Sequence, residues 1–302
     1  MQDTSLTSGP LLAGDPFILL HDGLYYAYGT THDDGILVYV SEDLATWRLC
    51  DNGRDGFALR REDTGAQKWF WAPEVYPQGD GFTMYFTRDL HISCARAPHP
   101  AGPFVEVGRC PLYDMPNEHW IDDTCFTDDD GQAYIYFSRR PKGAPGSEIW
   151  GAELEDDRAS LREGSLFCCF GTTEPWELLS GRIRTVEGPF MLKHEGRYYL
   201  TYTANHYESH DYAVGYAVSE NPRGPFVKTP DNPILRRPAG FVGSGHHAFF
   251  HDKEGGLRIV FHAHFSPEQM FPRRVLIGTA AFREGRLTVD PEILQPVVVT
   301  ER

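Results

Sequence analysis

Several features that would commit a chain to a function class are scarce or missing. Basic residues are the minority charge: 28 Lys and Arg stand against 43 Asp and Glu, a formal net charge of −15, and the acids are spread along the chain. A nucleic-acid binder needs a basic footprint, so nucleic acid is excluded as a partner and a neutral or cationic small molecule is favoured. No apolar run approaches the roughly 18 residues of a spanning helix, which removes a helical membrane span. The N-terminal MQDTSLTSGPLLAGD has neither a basic n-region nor an apolar h-region, and the expectation is a cytoplasmic protein. The six cysteines, at 50, 94, 110, 125, 168 and 169, show no C-x-x-C spacing. The vicinal pair Cys168-Cys169 suits neither an ordinary disulfide nor a zinc knuckle, so reduced thiols are expected. Helical periodicity is also nearly absent, because few windows hold an i, i+3, i+4, i+7 stripe for three turns without Gly or Pro.

What the chain has instead is repetition. With 302 residues, 41% of them hydrophobic and 13% aromatic, it can bury a sizeable core. AGDPFILLHDGLYYAY at 13–28 is nearly rewritten as VEGPFMLKHEGRYYLTY at 186–202, with Pro16 on Pro189, Gly23 on Gly196 and Tyr25-Tyr26 on Tyr198-Tyr199. The same sequence of events recurs five times, at 15–30, 73–88, 123–139, 188–204 and 246–264. Each is a period-2 apolar run, a D-G, E-G or G-G turn, and a second run rich in Tyr and Phe. The alternation gives one buried face and the dipeptide a tight turn, so each unit reads as a β-hairpin. ARAPHPAGPF (95–104) likewise matches AVSENPRGPF (217–226), an outer strand ending in a Pro-Gly turn. Five units at about 60 residues each leave room for four-stranded blades and their loops. The fold class predicted is all-β, a single five-bladed β-propeller spanning 1–302.

In a propeller the innermost strands line a central channel and their starting residues share one rim. The acids at or near the heads of the units are Asp15 in GDPF, Glu74 in WAPEVY, Asp122 and Asp123 in HWIDDTCF, and Glu187 in VEGPF; the fifth unit offers His246. Asp15 and Glu187 are out of step, because Asp15 aligns with Gly188 and Glu187 with Gly14. Strict alternation would turn them to opposite faces, so the strand entries are expected to depart from it. Carboxylates converging on one pocket suit glycosidic chemistry, where one acid protonates the leaving oxygen and another carboxylate activates water or attacks carbon. The competing reading is that Asp15 and Asp122 cap turns.

Taken together, GDPFILLHDGLYYAYGT, SEDLATW, WAPEVY, IDDTCFTDDDGQAYIYF, EGPFMLKHEGRYYLTY, YAVGYAVSENPRGPF and GSGHHAFF make the chain resemble glycoside hydrolase family 43 over nearly its whole length. The resemblance implies a five-bladed propeller enzyme acting on arabinose- and xylose-containing plant polysaccharides with inversion. It implies Asp15 as general base, Glu187 as general acid and Asp122 as the third carboxylate, which orients substrate and keeps the acid protonated. Asp123 stands where that family usually has Pro, so Asp122 and Asp123 both remain open for the pocket.

The same resemblance implies three substrate-binding residues. Trp71 would be a sugar-stacking platform, Arg273 would reach sugar hydroxyls, with Arg274 as its rival, and His246 would sit on the channel axis. There His246 would hold a structural calcium, largely through waters; no cofactor is required for the reaction. Zinc is the other metal considered, since histidines 246, 247, 251, 262 and 264 cluster near the fifth unit, but H-H and H-x-H are not the usual helical zinc spacing. DDDG at 128–131 lacks an acid at Phe126 and reads as a hairpin turn, not an ion-binding loop. The expected activity is an exo-acting α-L-arabinofuranosidase with β-D-xylosidase as a variant, against endo-arabinanase or a non-catalytic sugar-binding propeller.

Overall fold

The computed structural model describes residues 7–113, 117–141, 143–179 and 183–300. Each hairpin read from the sequence forms, and each is the inner half of a blade. The five hairpins start at innermost strands Gly14–His21, Trp71–Gln78, His119–Thr127, Val186–His194 and Gly245–His251. Five blade sheets result, arranged as a five-bladed propeller, with two further two-stranded ladders among the described residues. In blades two to five the strands follow chain order from the axis outward. Apart from three short 3₁₀ turns, the described residues contain no helix. That is the outcome expected where period 2 dominates and Gly and Pro interrupt everything else.

The first blade joins the two ends of the described chain. Val297–Thr300 lies between Thr7–Pro10, its antiparallel partner, and Thr46–Leu49, which it pairs in parallel. Beneath this seam Trp47 is fully buried.

Neighbouring blades are also tied by one repeated device. A tyrosine from the second strand of a blade donates its hydroxyl hydrogen to a carbonyl in the turn after the third strand of the next. Tyr28 reaches Pro100 (2.6 Å), Tyr85 reaches Arg158 (2.6 Å), Tyr136 reaches Pro222 (2.8 Å) and Tyr199 reaches Gly285 (2.9 Å). The repeated Pro-Gly segments supply two of these acceptors. Buried tyrosines need a hydrogen-bond partner, and here that need fixes blade against blade.

A second regularity positions the site. Every innermost strand carries a one-residue bulge near its start: between Gly14 and Phe17, Trp71 and Glu74, Ile121 and Thr124, Glu187 and Phe190, and Gly245 and His247. At each bulge one residue takes a left-handed conformation: Asp15 (φ 51°), Ala72 (44°), Asp122 (59°), Gly188 (51°) and His246 (45°). Bulges bend a strand and re-aim its side chains. Their recurrence gives the propeller a ring of five dipeptides around the axis.

Candidate active site

Those dipeptides are Gly14-Asp15, Trp71-Ala72, Ile121-Asp122, Glu187-Gly188 and Gly245-His246. A cavity of about 290 Å³ opens over them, and six of these residues line it: Asp15, Trp71, Ile121, Asp122, Glu187 and His246. The one-residue disagreement between Asp15 and Glu187 is thereby accounted for. Asp15 occupies the left-handed position of its bulge and Glu187 the position before it, and because the bulge breaks the alternation, both carboxylates face the same space. Gly188 is required where Glu187 precedes it. A Cβ there would stand 3.2 Å from the His246 ring, on a backbone with φ +51°, a conformation that a side chain disfavours.

Asp15 is buried and held by cations and donors on all sides. The Arg273 guanidinium grips it with two bonds, Nη1 to Oδ1 at 2.8 Å and Nη2 to Oδ2 at 3.2 Å. Thr30 donates its hydroxyl to Oδ2 at 2.5 Å, and His246 Nδ1 stands 3.1 Å from Oδ1. The Asp15 backbone N–H donates to His262 Nδ1 at 3.1 Å, which requires that nitrogen to be an unprotonated acceptor. Burial and the Arg273 charge keep His262 well below the usual histidine range, in agreement with that tautomer. Burial alone would raise Asp15, but the Arg273 charge, aided by the Thr30 hydroxyl, outweighs it and holds the carboxyl far below the usual range. Arg273 reaches this position because residue 14 has no side chain: a Cβ on Gly14 would overlap the guanidinium.

Glu187 is held differently. One neutral donor, the Tyr212 hydroxyl, reaches its Oε1 at 2.7 Å. Burial raises its pKa, the Tyr212 bond opposes, and the Asp15 charge raises it further, for a net upward shift. Since Oε1 accepts from Tyr212, a proton on Glu187 sits on Oε2. Asp122 is raised well above the carboxylate range by burial first, then by Glu187 and Asp15. Asp122 and Glu187 are thus both shifted upward, whereas Asp15 is shifted downward.

The remaining sequence candidates divide cleanly. Trp71 lines the cavity, half-buried, with one face stacked on Trp69 (centroids 5.2 Å apart, 27° between planes). Arg273, not Arg274, enters the cavity; Arg274 opens a strand and its guanidinium carbon lies 4.6 Å over Phe265. Asp122, not Asp123, faces the space. Asp123 is turned into the packing between blades, 2% exposed, with neither carboxyl oxygen bonded. Glu74 is also turned away and bonds the Tyr76 hydroxyl; its blade contributes Trp71 instead. Sequence reasoning missed Thr30, Tyr212 and Phe271, and placed His262 only in a cluster weighed for zinc. No position within one hairpin signals them, since each reaches the cavity from another strand or loop.

The metals fit poorly. His246 turns its Nδ1 toward Asp15, and Asp15 is occupied by Arg273 and Thr30. Calcium prefers six to eight oxygen ligands; these residues do not supply them. Among the described residues no group of three or more His, Cys, Asp or Glu has metal-holding geometry. His247 instead bonds Thr201 at 2.6 Å, and His264 the Tyr207 carbonyl at 2.8 Å.

Comparison with known proteins agrees with this geometry. The model of the Glycosyl hydrolases family 43 matches residues 9–286. An arabinoxylan arabinofuranohydrolase of Paenibacillus polymyxa is 27% identical over 300 residues, covering 83% of this chain and 45% of its own length. A β-D-galactofuranosidase, xynD, of Aspergillus niger is 29% identical over 281 residues, covering 86% of this chain and 76% of its own. The chain therefore spans less than half the length of the first relative and about three quarters of the second. Among solved structures, an endo-1,4-β-xylanase of Bacteroides thetaiotaomicron superposes with a TM-score of 0.89 at 37% identity, covering 98% of this chain and 100% of that one.

Proposed function

The chain belongs to glycosyl hydrolases family 43, and from that premise we propose an inverting, exo-acting enzyme that removes terminal α-L-arabinofuranosyl, or β-D-xylosyl, residues from plant-type oligosaccharides and polysaccharides. The observation that carries the reading is the opposite treatment of two carboxyls in one cavity. Asp15 is kept ionised by Arg273, and Glu187 is kept protonated by burial and by the Asp15 charge. That division of labour is what general base and general acid require. In the proposed step Asp15 takes a proton from a water behind the anomeric carbon. The new C–O bond forms there, the glycosidic C–O bond breaks, and the Oε2 proton of Glu187 passes to the departing oxygen. Asp122, itself held protonated by burial and by its carboxylate neighbours, lines the same cavity and orients the sugar there.

Exo action is supported by the closed side of the cavity. Arg273 lies across Gly14 and is bonded to Asp15, and Trp71 and Phe271 stand beside it. We read this wall as the end of a single-sugar subsite on the base side. An endo reading has its own observation, a hollow of about 570 Å³ beyond Trp71 and Arg273, where a longer chain would have to run. The Paenibacillus polymyxa relative, named as an arabinofuranohydrolase, supports the arabinose preference. The test is hydrolysis of nitrophenyl α-L-arabinofuranoside and β-D-xyloside, then of arabino- and xylo-oligosaccharides. Release of single pentoses, with the inverted anomer first by proton NMR, is expected; release of longer fragments favours the endo reading, and a retained anomer rejects inversion.

A further inference from the structure

Glu187 lines two cavities. One is the carboxylate cavity; the other, about 150 Å³, lies on its far side and shares the wall Ile121, Glu187 and Tyr207. The general acid must stand beside the leaving oxygen, and in an inverting reaction the leaving group departs on the face opposite the base. The second cavity therefore lies where the leaving group goes, a placement that rests on the proposed function above.

Its chemistry is unlike that of the first cavity. No Trp lines it, and its polar groups are His119, Ser138, Arg140, Ser147, Thr185 and His206. The two serine hydroxyls already donate to the Val186 carbonyl, at 3.0 and 2.8 Å. Burial pushes both imidazoles below the usual histidine range and the Arg140 charge adds to this, against an opposing pull on His206 from the exposed Glu208 carboxylate 3.7 Å from its Nδ1, so Arg140 is the positive charge of the cavity at neutral pH. Its neighbour Arg139 pairs with Glu118 at 2.8 Å. Among the described residues Arg140 has no carboxylate partner within ion-pair distance, and its side chain makes one hydrogen bond, a long one from Nη2 to Thr185 Oγ1 at 3.4 Å. The acid beside it, Glu187, is neutral before transfer and does not repel an anion.

We propose that this cavity is the leaving-group subsite and that it takes a leaving group bearing a carboxylate, such as a uronate, with Arg140 as the residue that binds it. A planar guanidinium with free donors matches a carboxylate in two-point geometry. Two measurements test this. First, binding of 4-hydroxyphenylacetate and of 4-hydroxyphenylacetamide is compared by calorimetry on the full chain. The acid is expected to bind about tenfold more tightly, the usual scale of a charge-assisted bond; the preference should weaken in added salt and fall to near one in Arg140→Gln, with Arg140→Lys between. Second, the 4-(carboxymethyl)phenyl and 4-(carbamoylmethyl)phenyl pentosides, matched in leaving-group acidity, should show the same ratio in kcat/KM. A ratio of one in the unaltered protein, or one that survives Arg140→Gln, overturns the proposal. Failure to cleave any pentoside overturns the proposed function instead, while the calorimetric ratio still reports on the cavity.

Discussion

Blades one and four carry nearly the same hairpin, Gly14–Thr30 and Val186–Ala204, and they prepare opposite chemistry. Both strands bulge at the same place. In blade one the left-handed position holds the acid and the preceding position is Gly14; in blade four the acid comes first and Gly188 takes the left-handed position. This exchange of one glycine and one acid decides which partners each carboxyl meets. The empty Gly14 admits Arg273, which ionises Asp15. Glu187 accepts its hydrogen bond from a neutral phenol, and burial with the Asp15 charge raises its pKa. The repeat supplies a common mount, and the local swap supplies the difference in acidity that the proposed reaction needs.

The largest effects should come from removing either carboxyl. Asp15→Asn and Glu187→Gln are each expected to lower kcat by roughly 10²–10⁴-fold, the range of a general acid or base, with unchanged circular dichroism and melting temperature within a few degrees. Near-normal turnover in either would detach that blade from the reaction.

Next in size is Arg273→Met, which removes what distinguishes blade one. Asp15 must be ionised to act, so its low pKa keeps the acidic limb of the kcat/KM profile at low pH. Without Arg273, burial is left to raise Asp15, and the acidic limb should move upward. The loss should be roughly tenfold or more at mildly acidic pH and smaller toward neutrality. A uniform loss across pH would mean that Arg273 acts only on substrate.

Asp122→Asn addresses blade four from the other side. Glu187 must be protonated to act, so its raised pKa sets the basic limb. Asp122 carries its proton where Glu187 titrates, so an asparagine there removes no charge. The basic limb should stay in place while kcat/KM falls by about tenfold from lost substrate orientation, and a clear downward move of that limb would show that Asp122 is ionised when Glu187 titrates.

The smallest effect is on stability, from Asp123→Asn. Asp123 is buried without a partner and its pKa is raised well above the ordinary value by that burial. A raised folded-state pKa gives stability that is fully present below the unfolded value of about 3.9 and is lost as pH rises through the folded value. The variant cannot ionise, so its melting temperature should exceed that of the unaltered protein by a few degrees at pH 7 and approach it near pH 4. A lower melting temperature at pH 7 would show that the ionised carboxyl has a stabilising partner.

How much of this was legible in the chain follows from which interactions are local. The hairpins were readable because alternation and a D-G or E-G turn lie within one short segment, and Tyr28, Tyr85, Tyr136 and Tyr199 sit inside the repeated runs. The acids were readable as heads of those segments. Their shared direction was not, because a left-handed φ is written openly only at Gly188, while Asp15, Ala72, Asp122 and His246 adopt it without a glycine. The choice of Asp122 over Asp123 depended on that bulge. Arg273, Thr30, His262 and Tyr212 meet the carboxyls across strands and blades, and neither residue type nor spacing within a hairpin announces such a contact. Asp123 reads like a site residue and is a buried, unpaired one.

The contrast between the two blades is tested most directly by leaving-group dependence. A series of aryl pentosides spanning a wide range of phenol acidity should be compared on Asp15→Asn and Glu187→Gln. If Glu187 is the acid, its variant should fall steeply on poor leaving groups and recover to within about tenfold of the unaltered protein on the most acidic phenols, which depart without protonation. The Asp15 variant should stay slow throughout, because attack by water still lacks its base. Equal recovery in both variants, or recovery in Asp15→Asn alone, would contradict the assignment of base to blade one and acid to blade four.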